Sequence, residues 1–389
     1  MWYFASPLIV YGEDALSHLA TLEGQRAALI TDVHLVALGL ADKVTDFLRQ
    51  GGLEVVCYDR VEPEPSLELV KEGAEFLLTH SPDWIVALGG GSVIDAAKAM
   101  WILYARPDLD PEAINPIEHF NLRAKARFVA IPTTSGTGSE VTWAIVLTNR
   151  AERRKLGLGS REAIADIAIV DPAVVMDLPP RLTADTGLDA LTHAIEGFTS
   201  TYHNDFTDGL CLKAAKLVFE YLPRAYRFGK DDPEARARMH YAATLAGLGF
   251  GNAMAALAHG IGHALGAIFH LPHGRAVALA LPYTIAYCAQ GEPGSTRYAE
   301  LAYHLRLPAE SEWVAAKALI EAVTDLMRQV EQPLTLAQAG IAQRDLEREM
   351  SVLIDHAMND TQTIMSPRVP DESELQALLW QMYSGDISL

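Results

Sequence analysis

The spacing of apolar positions changes character about halfway along the chain. In the first half, short apolar runs alternate with stretches of helical spacing. Ala27-Ala28-Leu29-Ile30-Thr31, Leu53-Glu54-Val55-Val56-Cys57-Tyr58, Trp84-Ile85-Val86-Ala87-Leu88, Phe128-Val129-Ala130-Ile131 and Ile167-Ala168-Ile169-Val170 each read as a strand. Between the first two, the pattern over 37–50 predicts a helix stopped by Gly51-Gly52. Ser66, after the Pro63-Glu64-Pro65 turn, is placed to cap the next helix. Strands alternating with helices imply a parallel sheet covered by helices. Beyond Pro179-Pro180 the spacing is mainly helical, over 184–199, 207–227, 233–249, 252–268, 313–330 and 344–358. The pattern therefore predicts an α/β domain over residues 1–180 followed by an all-α domain over 181–389.

Composition narrows the range of partners. The chain has 389 residues, half of them hydrophobic, and a net charge of −19. That charge argues against nucleic acid, whose binding rests on Lys and Arg neutralising phosphates, and against anionic membrane surfaces. Cys57, Cys211 and Cys288 are far apart with no Cys-x-x-Cys, which fits reduced thiols. The opening Met1-Trp2-Tyr3-Phe4-Ala5-Ser6-Pro7 lacks the basic and apolar regions of a signal peptide. The stretch 242–269 lacks Lys, Arg, Asp and Glu, yet its glycines, Asn252, His259 and His263 fit a buried helix pair better than a membrane span. A cytoplasmic protein is expected.

Two histidine motifs lie in the helical half. His259 and His263 are four apart, so on a helix they share a face; His273 follows Pro272, where the chain is expected to turn back. Asp189 and His193 repeat the four-residue spacing. Asp189, His193, His259 and His273 together offer one oxygen and three nitrogens to a divalent ion. Either pair alone fits a hydrogen-bonded core histidine; two such pairs in apolar surroundings favour a metal.

Two other motifs lie in the α/β half. The third strand runs into Gly89-Gly90-Gly91-Ser92-Val93-Ile94-Asp95-Ala96-Ala97-Lys98. Glycines at a strand end followed by a helix N-terminus suit a pyrophosphate, without saying which nucleotide. The fourth strand ends in Pro132-Thr133-Thr134-Ser135-Gly136-Thr137-Gly138-Ser139-Glu140, a hydroxyl-rich loop where open α/β sheets bind ligands. Asp32 ends the first strand, where a carboxylate accepts from ribose hydroxyls and repels a 2′-phosphate; a solvated cap is the competing role. With phosphate motifs in one half and metal motifs in the other, a cleft between two domains is expected.

In these motifs, in their order and spacing, the sequence resembles the iron-containing (group III) alcohol dehydrogenases, the family of lactaldehyde reductase and 1,3-propanediol dehydrogenase. The matching stretches are 89–98, 132–142, 187–196 and 246–274. The resemblance implies a Rossmann-like N-terminal domain joined to a helical C-terminal domain, the dehydroquinate synthase-like architecture. It implies Asp189, His193, His259 and His273 as metal ligands, with Fe2+ favoured over Zn2+, and His263 as a catalytic residue beside nicotinamide and substrate. It places Gly90, Gly91 and Ser92 on the pyrophosphate turn, with Asp95 in the same cofactor signature, and Thr133, Thr134 and Lys155 against the cofactor. Asp32 falls on the acid that favours NAD over NADP. Glu64 stands where the family often has Asn, and Met365-Ser366-Pro367-Arg368 where it commonly has Thr-Asn-Pro-Arg. His270 lines or supports the site without ligating.

The implied activity is reversible hydride transfer between a small primary alcohol or aldehyde and NAD(H), by a homodimer or higher homo-oligomer. Trp143, Phe250, Met254 and Phe269 are expected to limit substrate size. Competing readings are a dehydroquinate synthase-like lyase, a glycerol dehydrogenase-like enzyme and a non-catalytic sensor. The lyase needs several basic residues for its phosphorylated substrate, and only Arg275 lies near the metal motifs. The sensor would bind NAD and metal without turnover.

Overall fold

The computed structural model describes residues 3–389. The chain divides into two compact units, Met1–Asp177 and Leu178–Leu389, with the division just before Pro179-Pro180.

The first unit is built on a sheet of β1 (Leu8–Tyr11), β2 (Arg26–Ile30), β3 (Glu54–Tyr58), β4 (Trp84–Gly89), β5 (Arg127–Pro132) and β8 (Ile167–Val170). Its order is β1-β8-β5-β4-β2-β3, and every pairing is parallel. Strands β4 and β8 are buried at every position, which is why they read as unbroken apolar runs. Helices α1 (Val33–Ala37), α2 (Leu40–Gln50), α3 (Leu67–His80) and α4 (Gly91–Ala105) lie among the strands in chain order. Trp101 of α4 stacks on Phe128 of β5 with ring centroids 5.2 Å apart, in the core of this unit. The chain passes from β2 to β3 on one side, then returns to place β4 on the other side of β2. That reversal puts the switch point of the sheet between the carboxyl ends of β2 and β4, where such folds bind ligands.

The second unit is helical: α5 (Pro180–Thr199), α6 (Asp205–Phe228), α7 (Pro233–Gly251), α8 (Leu257–Phe269), α9 (His273–Cys288), α10 (Gly294–His304), α11 (Glu312–Gln329), α12 (Gln343–Met358) and α13 (Glu372–Ser384). Helix α5 is buried at nearly every position from Thr183 onward and packs against α6, α7 and α9. The fold is thus a Rossmann-like α/β region followed by a mostly helical one.

The structure differs from the sequence pattern in several places, among them three helices, α9, α10 and α13, that lie outside the helical ranges read from the sequence. The helix expected over 37–50 begins only at Leu40, because Gly39 takes a left-handed conformation (φ 74°) that separates α2 from the short α1 before it. A helix expected from 252 begins only at Leu257. Met254 lies at φ 75°, and the amides of Ala255, Ala256 and Ala258 donate to the side chains of Gln362 and Glu196. An antiparallel hairpin, β6 (Ala144–Asn149) with β7 (Arg154–Gly159), and the edge strand β1 had no clear signal in the sequence. Charged Arg154-Lys155 and two glycines interrupt β7.

Candidate active site

In the helical unit, Asp189 and His193 face the same way from α5, His259 comes from the first turn of α8, and His273 is the first residue of α9. His270 ends α8 in a left-handed conformation (φ 54°), and Pro272 precedes α9, so the chain doubles back and returns His273 toward α5. One donor atom from each of Asp189, His193, His259 and His273 lies within 4.8 Å of the others. Asp189 Oδ1 is 3.4 Å from His273 Nε2, 3.8 Å from His259 Nε2 and 3.8 Å from His193 Nδ1. His270 is exposed and is not in this group.

The chemistry of the group fits a divalent cation. Asp189 Oδ1 and His259 Nε2 are buried and have no hydrogen-bond partner among the described residues, a costly arrangement unless something else satisfies them. Burial alone would raise the Asp189 carboxyl, but the imidazoles of His193, His273 and His259 outweigh it and hold it well below the usual carboxylate range. Burial would likewise lower His259, but Asp189 and Glu196 outweigh it and raise its pKa to about 9. The site favours positive charge at its centre, and three nitrogens with one oxygen match the ligand preferences of iron(II) and zinc(II).

Two acids that the sequence motifs left without a role complete the geometry. Glu196, on the same helix as Asp189 and His193, accepts from the amides of Ala256 at 3.0 Å and Ala258 at 2.6 Å, and lies 2.5 Å from His259 Nδ1. It fills the start of α8 and orients His259 with one carboxylate. Its spacing from Asp189 and His193 was visible; the partner amides were not, because they belong to the unexpected non-helical segment before Leu257. Asp360 Oδ2 lies 2.7 Å from His263 Nδ1 and belongs to a turn after α12, with no local sequence signal. Burial raises the Asp360 carboxyl, but His263 outweighs it and keeps it below the usual range. His263 is not in the four-donor group; its ring stacks at 5.3 Å from that of His273. Phe250 lies flat on His193, with centroids 3.9 Å apart and planes within 8°.

In the α/β unit, the ends of β4 and β5 bring the glycine turn and the threonine loop together. Gly89 pairs with Pro132 across the sheet, and Thr133 N donates to Gly89 O at 3.0 Å. A Cβ at Gly90 would lie 3.1 Å from Thr134 Cγ2, and one at Gly91 only 2.7 Å from Thr137 Cγ2, so this approach needs glycine at the second position. Gly90 caps α4, leaving the first amides of that helix for an anion. Ser92 Oγ accepts from Glu64 N at 3.4 Å, and Glu64 Oε1 pairs with Lys155 Nζ at 2.8 Å. Gly90, Gly91, Ser92, Thr133, Thr134 and Lys155 thus belong to one connected region. Asp32 stands after the neighbouring β2 and caps α1, accepting from the amides of His34 and Leu35. Asp95 is different: its side chain is turned into the protein, with Oδ2 accepting from Val146 N at 3.0 Å and Lys98 nearby. Lys98 is fully buried and donates to the carbonyls of Thr142 and Ala144, so Asp95 and Lys98 both tie α4 to β6.

The chain is similar to known proteins in sequence and fold. Residues 6–172 match the iron-containing alcohol dehydrogenase family, and residues 183–383 match the C-terminal region of the Fe-containing alcohol dehydrogenase family. The chain is 39% identical to the NADPH-dependent butanol dehydrogenase of Clostridium saccharobutylicum over 97% of its own length and 96% of that protein. The structure of a 1,3-propanediol oxidoreductase superposes with a TM-score of 0.90 at 32% identity, covering 98% of this chain and 100% of the other. That of the sulfoacetaldehyde reductase of Bifidobacterium kashiwanohense in complex with NAD+ gives 0.86 at 28% identity, over 99% and 100%. The metal-compatible donor set, the Rossmann-like sheet and these matches lead to one conclusion: the chain belongs to the iron-containing alcohol dehydrogenase family.

Proposed function

We propose that this enzyme interconverts small primary alcohols and aldehydes with NAD(H), using a divalent ion held by Asp189, His193, His259 and His273. The observation that carries this is the convergence of those four donor atoms, with Asp189 Oδ1 and His259 Nε2 buried and without a hydrogen-bond partner among the described residues. Fe2+ is the favoured ion, and Zn2+ is the alternative that the same donors accept. When bound, the ion supplies Lewis acidity toward the alcohol oxygen, and the nicotinamide supplies the hydride acceptor.

The rest is done by the chain's own residues. Gly90, Gly91 and Ser92, at the start of α4, receive the pyrophosphate with backbone amides and the positive end of the helix. Thr133, Thr134 and Lys155 border the cofactor, with Glu64 balancing the lysine charge. Asp95 contributes as a brace behind this turn. Asp32 accepts from the adenosine ribose and disfavours a 2′-phosphate, so NAD is preferred even though the Clostridium relative is NADPH-dependent. His263 donates Nδ1–H to Asp360, which leaves Nε2 to take the alcohol proton and pass it to solvent. Phe250, flat against His193, bounds the room for substrate beside the donors. Domains over 1–180 and 181–389, a homodimer or higher homo-oligomer and a cytoplasmic location complete the proposal; among the described residues, no helix is long and apolar enough to cross a membrane.

The test is metal analysis of anaerobically purified protein, followed by NADH oxidation with a panel of small aldehydes. Bound iron or zinc together with turnover of short aliphatic aldehydes is expected. Metal-replete protein that oxidises NADH with none of them would contradict the proposed substrate class.

A further inference from the structure

His273 is the least enclosed of the four donors. Its side chain is 30% exposed, against 2–4% for Asp189, His193 and His259. It is also the first residue of its helix, where the backbone amides lack partners within the helix and the end frays readily. Its ring meets those of His259 and His263, and what places its backbone against α5 is the packing of the first turn of α9.

The next two residues supply the means. Gly274 brings the start of α9 so close to α5 that a Cβ there would lie 2.1 Å from Asp185 O and 3.1 Å from Asp189 Cβ. Arg275 then grips Asp185 with two nitrogens. Nη2 donates to Oδ1 and Oδ2 at 3.0 Å each, and Nε donates to Oδ1 at 3.1 Å and to Gln332 Oε1 at 3.1 Å. Asp185 stands one helical turn before Asp189, and the two carboxylates meet the residues on either side of Gly274: Asp189 meets His273, and Asp185 meets Arg275. The fork of an arginine on a carboxylate fixes direction as well as distance, which a lysine in its place does not do. Both side chains are largely buried, 14% and 8% exposed. A buried ion pair is a poor source of net stability, so its value lies in the geometry it imposes.

We infer that Arg275 and Asp185 form a positioning pair that locks the register of α9 on α5 and so holds His273 at the metal. The inference rests on the proposed metal site. It also accounts for Arg275, whose charge is committed to Asp185 rather than offered to a phosphorylated substrate.

The experiment measures Zn2+ affinity by chelator competition and the visible spectrum of bound Co2+ in wild type, Arg275→Met, Asp185→Asn and the double variant. Loss of a partner that orients a metal ligand should weaken Zn2+ binding in Arg275→Met by roughly 10- to 100-fold. The Co2+ bands should shift, since the geometry of the His273 ligand is altered. Asp185→Asn should move both readouts the same way, and the double variant should be no worse than Arg275→Met because one interaction is being removed. Asp185→Asn keeps the side-chain volume and an acceptor, so it decides the matter if Arg275→Met does not fold. Wild-type affinity and spectrum in the folded variants, whatever their melting temperatures, would overturn the inference and leave the metal site standing. Wild-type protein that takes up neither ion would overturn both.

Discussion

Glu196 and His259 are joined by a 2.5 Å contact between Oε2 and Nδ1, and the same carboxylate takes the amides of Ala256 and Ala258. One buried acid thus sets the ring orientation of a proposed metal ligand and the starting point of the helix that carries it. Carboxylates in this position fix the tautomer of the ligand and raise its basicity. Replacing Glu196 with Gln should weaken metal binding by roughly 10- to 100-fold while leaving NADH binding in place. Equal Zn2+ affinity in wild type and Glu196→Gln would reduce Glu196 to a helix cap.

His263 lies beside the four proposed metal ligands and outside their donor group. His263→Ala should therefore keep its metal and its affinity for NADH, while kcat falls by roughly 10²-fold or more, the usual scale of general acid–base assistance. Asp360→Asn should show a weaker form of the same loss, because Asp360 holds the His263 ring through Nδ1. Loss of metal from His263→Ala would make His263 a ligand. Unchanged kinetics with metal retained would leave proton transfer to water.

Asp32 follows β2 at the switch point of the sheet and caps α1 through its Oδ1. A carboxylate opposite a 2′-phosphate costs on the order of 1 kcal/mol in a partly desolvated site. Asp32→Gly should raise kcat/KM for NADP relative to NAD, and the lost cap should cost only a few tenths of a kcal/mol because glycine is tolerated at helix starts. A ratio that stays put would remove Asp32 from cofactor choice.

Legibility in the sequence followed the distance over which each feature is specified. Asp189, His193 and His259 were visible because the helical period is local, and His273 because Pro272 marks the turn. The glycine and threonine motifs were visible because each follows a strand directly. Glu196 was in view but without a role, since the apolar run through Ala253, Ala255 and Ala256 looks helical, while the tertiary amide acceptors Glu196 and Gln362 hold it in a non-helical turn. Asp360 and Asp185 find their partners 97 and 90 residues away, which no spacing rule reaches. The hairpin of β6 and β7 was hidden by the charges and glycines of β7, which alternation alone does not resolve.

His240, buried in α7, supplies a pH test outside the site. Burial pushes its pKa down from the ordinary 6.5 to about 3. The folded protein therefore holds it neutral, while the unfolded chain protonates it below about 6.5. Its contribution to stability is complete above the unfolded value and is lost as pH falls from there toward the folded one. Thermal melts between pH 7 and pH 5 should show a smaller drop in Tm for His240→Gln than for wild type. Parallel drops would mean that His240 does not contribute to the acid sensitivity.

Asp189, His193, His259 and His273 are together proposed to hold the metal. The most direct measurement is the metal content of anaerobically purified wild type beside His259→Ala and His273→Ala. Wild type should carry about one divalent ion per chain, and each variant should lose most of it along with aldehyde reduction, since affinity rests on ligand count and geometry. Full metal occupancy in both folded variants would contradict the assignment.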